Sequence, residues 1–165
     1  MASDRVEWIG WPVLVHSART AVTAVASLLA ARLFRLPEAY WAPITTLVIT
    51  QSSLGAAFSV SWQRFVGTVL GALLGALAAS CFGPDVLVFG ASVLLLGLLR
   101  AAARLDLPAY RFGSVTLAIV LLVPRTGHPW QIAFHRFAEV SIGIGVALML
   151  AWVWPEREAT LSEKH

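Results

Sequence analysis

Residues 63–79 read QRFVGTVLGALLGALAA, with Arg64 ahead of an apolar run that places glycine at every fourth residue: Gly67, Gly71 and Gly75, with Ala79 continuing the row. Glycine costs about 1 kcal/mol against alanine inside a helix. Three of them on one face must therefore serve a purpose. Between helices in lipid no hydrophobic force acts, and association depends on close backbone packing, which small residues permit. The ladder predicts a membrane helix pressed against a neighbour, and its repeat partner described below is a natural candidate.

The rest of the chain agrees with a membrane setting. Of 165 residues, 58% are hydrophobic and only 13% charged, and the mean hydropathy is +0.77. A soluble domain carries about 25% charged residues, so this chain has too little charge to cover a water-facing surface. The net charge of +3 comes from basic residues scattered between apolar blocks, which argues against nucleic-acid binding. Cys81 is the single cysteine, so no internal disulfide and no cysteine-based metal site is expected; it reads as a small core residue. Asp4, Arg5, Glu7, Trp8 and Trp11 precede the first apolar run, unlike the basic start of a secretory signal.

Six apolar segments are long enough, or nearly so, to serve as spans of about 20 residues: 12–34, 40–58, 65–82, 86–99, 112–123 and 132–154. Short gaps between them predict antiparallel neighbours in an all-α, polytopic bundle of about six transmembrane helices forming a single domain, with a short cytoplasmic tail at 155–165. The segments do not alternate as barrel strands must. Tryptophans near the segment ends, Trp41 and Trp62 among them, fit an interfacial belt. Counting Arg5, Arg64, Arg100, Arg104, Arg111, Arg157 and Lys164 on one side, and Arg32, Arg35, Arg125 and Arg136 on the other, the bias of seven to four places both termini in the cytoplasm.

The turn AARLFRLPEAY at 30–40 returns as AARLDLPAY at 102–110, and QRF at 63–65 returns as HRF at 135–137, 72 residues on. In that register Gly71 meets Gly143, Gly75 meets Ala147, and Ala79 meets Ala151. The chain thus reads as two three-helix repeats, about 12–82 and 84–154. Because three is odd, the copies must run in opposite senses, as in many transporters.

The residues ART at 18–20, LPEAYWAPITTLVITQ at 36–51 and RFVGTVLGALLG at 64–75 resemble the membrane domain of the fusaric acid resistance and aromatic acid exporter family. The likeness rests on Arg19 and Thr20, on Tyr40 to Ala42 with Thr45 and Thr46, and on Arg64, Gly67, Thr68, Gly71, Ala72 and Gly75. It is strong over 17–79 and extends to the second half through the repeat. The resemblance implies a six-helix membrane domain that exports organic anions, often aromatic carboxylates; plant malate channels are distantly similar. The Leu/Ala/Arg-rich, Lys-poor composition points to a GC-rich bacterium, so a bacterial inner membrane is the expected location. Longer family members carry two such units and cytoplasmic domains. This chain has one unit, so it is expected to work as a homo-oligomer or beside a partner subunit, a periplasmic adaptor being one candidate.

Intramembrane charges are costly and mark function by default. Arg19 is read either as an attractor of anions or as a side chain reaching the headgroups. Arg64 and Arg136 each open the last helix of a repeat and are read as a pair at opposite mouths of an anion path, or as anchors. Glu139 is the one acid well inside an apolar run; it carries a proton or pairs with Arg136 one turn earlier. Thr46, Thr50, Gln51 and Ser53 make the second segment polar, lining a path or bonding across helices. Leu54 and Gly55 mark a possible break in it. Gly67, Gly71, Gly75, Gly143 and Ala147 are the packing residues. No catalytic set, phosphate loop, metal-ligand cluster or cofactor motif is present, so an enzyme is not expected. The competing reading is a membrane scaffold or regulatory subunit that transports nothing; an inverted repeat and a polar second helix favour the transporter.

Overall fold

The computed structural model describes residues 11–50, 54–123 and 127–154. Among these residues there are six α-helices and no strand: α1 (Trp11–Leu33), α2 (Trp41–Ile49), α3 (Leu54–Phe82), α4 (Val86–Ala102), α5 (Leu107–Leu122) and α6 (Pro129–Val153). Three of them, α1, α3 and α6, are long and apolar enough to cross a membrane; α4 and α5 are shorter apolar helices.

Local chemistry explains most of the ends. Prolines fall in first turns, Pro43 in α2, Pro108 in α5 and Pro129 in α6, where a missing N–H costs nothing. Pro108 starts α5 five residues earlier than the apolar pattern predicts. In the FGPD turn, Gly83 takes φ +77, and Asp85 caps α4 by accepting from the backbone N–H of Leu87 at 2.7 Å. Beyond the ends of α1 and α4, Arg35 and Arg104 adopt the left-handed conformation (φ 53 and 52), and the next N–H reaches back into the last turn, from Leu36 to Ala31 and from Leu105 to Arg100.

The second segment differs from its prediction. α2 ends at Ile49 rather than near 58, and α3 has begun by Leu54 rather than at 65. The stretch LGAAFSVSW at 54–62, which straddles the expected end of the second segment, forms the first turns of α3. Its one glycine, Gly55, costs about 1 kcal/mol, while Ala57 is buried in a cluster with Ile49, Ala147 and Ala151.

Contacts fix the directions. Along α3, Gly67 faces Ala109 and Gly113, Gly71 faces Gly113, and Gly75 faces Leu117 and Val120, so α3 and α5 run parallel. Gly143 faces Ala42 and Thr45, and Ala147 joins Ile49, so α6 and α2 also run parallel. Between α3 and α6 the numbers oppose: Ala57 with Ala151, Phe65 with Phe137, Ala72 and Ala76 with Ala133. The glycine ladder of α3 therefore presses on α5 of the other half, and not on α6. Shifting residue numbers by 71 or 72 carries Gly71 against Gly113 onto Gly143 against Ala42. Phe65 and Phe137, 72 apart in sequence, touch each other with ring centroids 5.6 Å apart, as two equivalent residues do on a two-fold axis.

The molecule is apolar outside and small or polar inside. Leu33, Phe82, Leu87, Phe134 and Trp152 are exposed, while alanines 42, 57, 72, 76, 109, 133, 147 and 151 are buried with Thr23, Ser27, Thr45, Thr46, Ser61 and Thr68. An apolar shell of this extent suits lipid. Cys81, expected in the core, is exposed beside a groove between α3 and α4, because it follows the outward face of α3 past the ladder.

Candidate functional site

The buried charges gather at the crossing of α3 and α6. Arg64 lies well inside α3 and Arg136 well inside α6, with 9% and 2% of their surfaces exposed. They are not at opposite mouths of the bundle. They are the residues immediately before Phe65 and Phe137, whose rings touch. The reason is the antiparallel crossing: residues one step before each ring are brought to the same level.

Each arginine reaches across to the second helix of the other half and lies over an aromatic ring. The Arg136 guanidinium carbon is 3.9 Å from the ring centre of Trp41, and that of Arg64 is 4.9 Å from the ring centre of Phe112. Trp41 and Phe112 are 71 residues apart, so these are matched cation–ring pairs. Trp41, expected in the interfacial belt, is the first residue of α2 and half-buried, with its ring against Arg136.

The polar partners of the two arginines differ. Arg136 donates from Nη1 to Glu139 at 3.2 Å and from Nη2 to Glu38 at 2.8 Å. Glu139, 1% exposed, also accepts from the Glu38 backbone N–H at 3.2 Å. The Trp41 indole N–H donates to Glu38 Oε2 at 3.0 Å. Two carboxylates thus compensate a buried cation that alone would be prohibitively costly, and the peptide and indole N–H groups satisfy further oxygens of those carboxylates. Arg64 by contrast donates from Nε and Nη2 to one neutral oxygen, the Thr45 hydroxyl, at 3.2 and 3.0 Å. Among the described residues it has no carboxylate partner. The nearest acid on the facing connector, Asp106, accepts from Gln63 at 3.1 Å instead.

The remaining predicted residues sit apart from this pair. Arg19 is buried at 4% exposure, lining a very small cavity with Thr23, Ile49, Thr50, Ala57 and Ala147, so its side chain does not run out to the helix end. Thr46 donates towards the carbonyls of Ala42 and Gly143, both at 3.0 Å, which ties α2 to α6. Thr50 donates to its own helix at the Thr46 carbonyl, 2.8 Å away. Gln51 and Ser53 lie outside the described residues. Gly67, Gly71 and Gly143 touch backbone, whereas Gly75 and Ala147 meet side chains. Sequence reasoning missed Glu38, Thr45 as the partner of Arg64, and the buried stripe Arg19, Thr23 and Ser27 on α1; the i, i+4, i+8 spacing of that stripe was the available signal. A cavity of about 140 Å³ opens beside Glu38, Gln131, His135 and Glu139. Among the described residues no three His, Cys, Asp or Glu side chains are placed to hold a metal ion.

Among the described residues, Arg64 is thus a buried cation held by a hydroxyl and a ring, and the chain is similar in sequence to known membrane proteins. The chain is 32% identical over 150 residues to the inner membrane protein YeeA of Escherichia coli, covering 87% of this chain and 42% of that one. It is 25% identical over 154 residues to a putative arylamide transporter of Mycobacterium tuberculosis, covering 90% and 42%. It is 29% identical over 161 residues to the uncharacterized protein YhfK of Escherichia coli, covering 93% and 22%. The chain thus spans less than half the length of these relatives. No solved structure matches it. Residues 18–150 match the fusaric acid resistance protein-like family, and with most of its length inside that match the chain belongs to this family of membrane proteins.

Proposed function

We propose that this chain is a membrane transporter subunit that moves organic carboxylate anions, aromatic ones among them, outward across a bacterial inner membrane. In this reading both termini face the cytoplasm, and the unit acts as a homo-oligomer or with a partner subunit. The observation that carries the reading is Arg64. It is buried among apolar helices, bonded to the Thr45 hydroxyl and covered by Phe112, with no carboxylate partner among the described residues.

Arginine presents a planar fork that binds carboxylate through two parallel hydrogen bonds, stronger than neutral ones. In a low-dielectric setting such a cation attracts an anion far more than it does in water. The Phe112 ring beside it offers an edge or face to a flat organic body. The description of one relative as an arylamide transporter supports an aromatic body in this chain's substrate too.

The test is flux. The purified chain in proteoliposomes should accelerate release of benzoate and related carboxylates relative to empty vesicles. A panel that includes neutral aromatic amides separates charge from ring as the recognised feature. No acceleration for any member of the panel contradicts the proposal.

A further inference from the structure

The two arginine–ring pairs are equivalent by position, but among the described residues one is occupied by carboxylate and the other is not. The difference traces to one residue. The first turn reads LPEAY and its second copy LPAY, so Glu38 has no counterpart in the second half. Its side chain, 20% exposed, comes from the connector between α1 and α2 and bonds both Arg136 and Trp41. Glu139 is likewise unmatched, since the residue 72 earlier is Gly67.

Resting on the reading of Arg64 as an anion station, we propose that Glu38 is a tethered carboxylate that fills, on Arg136, the place an organic anion takes on Arg64. It thereby closes the second of two equivalent stations. Three observations carry this. Glu38 Oε2 is 2.8 Å from Arg136 Nη2, the length of a charge-assisted bond to a bound carboxylate. The same oxygen receives the indole N–H of the ring under the arginine, so ring and cation converge on it. The cavity of about 140 Å³ beside Glu38 and His135 gives a ligand room to approach. Neutralising Glu38 removes one negative charge from beside Arg136, and a bound carboxylate restores it.

The test measures equilibrium binding of radiolabelled benzoate to the purified full chain in nanodiscs. Arg64→Gln should lose the binding seen in the original chain. In the Arg64→Gln background, Glu38→Gln should restore binding, tightening it roughly tenfold, the worth of one charge-assisted hydrogen bond. Adding Arg136→Gln should abolish that gain. If the original chain binds no benzoate, the reading of Arg64 fails, yet a gain dependent on Arg136 upon Glu38→Gln still supports the tethered carboxylate. No gain in either background overturns it, as does a gain that survives Arg136→Gln. Should Glu38→Gln not fold, Glu38→Asp, which keeps the charge and withdraws it by one methylene, should show a smaller gain; none would overturn the proposal.

Discussion

Arg136 is bonded to two carboxylates and lies on a ring, whereas Arg64 is bonded to one hydroxyl and lies on a ring. Removing Arg136 leaves Glu38 and Glu139 facing each other with no cation between them. Arg136→Gln should therefore cost about 3–5 kcal/mol, the usual penalty for breaking a buried ion pair. Glu139→Gln leaves Glu38 in place and should cost about 1–3 kcal/mol. Thermal unfolding in detergent checks the order; equal effects would show that the cluster does not act as drawn. Arg64, Arg136 and Glu139 were legible in the sequence because a charge inside an apolar run is rare. Glu38 was not legible. It sits in a stretch that reads as an ordinary polar turn, and only the folding of that turn onto α6 reveals its partner. The contact of Trp41 with Arg136 and Glu38 was not legible for the same reason.

Among the elements, α3 shows how far periodicity goes. The four-residue spacing of small residues identified a packing face, but spacing carries no information about which helix lies opposite. That helix is α5, and Gly71 meets the backbone of Gly113 so closely that an added Cβ would lie 2.8 and 2.9 Å from its carbonyl and α-carbons. Gly71→Ala should destabilise the bundle by about 1–3 kcal/mol through overpacking. Gly145, in α6, has nothing within 4 Å of the same position, so Gly145→Ala should be neutral or gain up to about 1 kcal/mol of helix propensity. Expression level and thermal midpoint of the two variants measure the contrast, and equal behaviour would remove the ladder as a contact surface. The boundary between α2 and α3 was set too late, at 58–65, because the apolar run continues through Ala57 and Phe58; α2 ends at Ile49 and α3 has begun by Leu54, close to the Leu54–Gly55 pair that marked a break.

For the whole molecule, the two halves are joined crosswise, α3 on α5 and α6 on α2, so that both arginines reach the centre. The doubled turn made the duplication readable, but the crosswise pairing was not, since it depends on contacts between distant segments. Cys81 offers a direct check on orientation. It is exposed near the end of α3, and with the N-terminus inside it should face the periplasmic side, where an impermeant thiol reagent labels it in intact cells. Labelling only after permeabilisation would reverse the assignment. The central claim concerns anion passage at Arg64. Release of radiolabelled benzoate from proteoliposomes, compared between the original chain and Arg64→Gln at equal protein, tests it most directly. The account predicts faster release than from empty vesicles and a loss of roughly tenfold or more in Arg64→Gln, as expected for removing a charged hydrogen-bonding partner. Equal release by the two proteins, or none above empty vesicles, would contradict it.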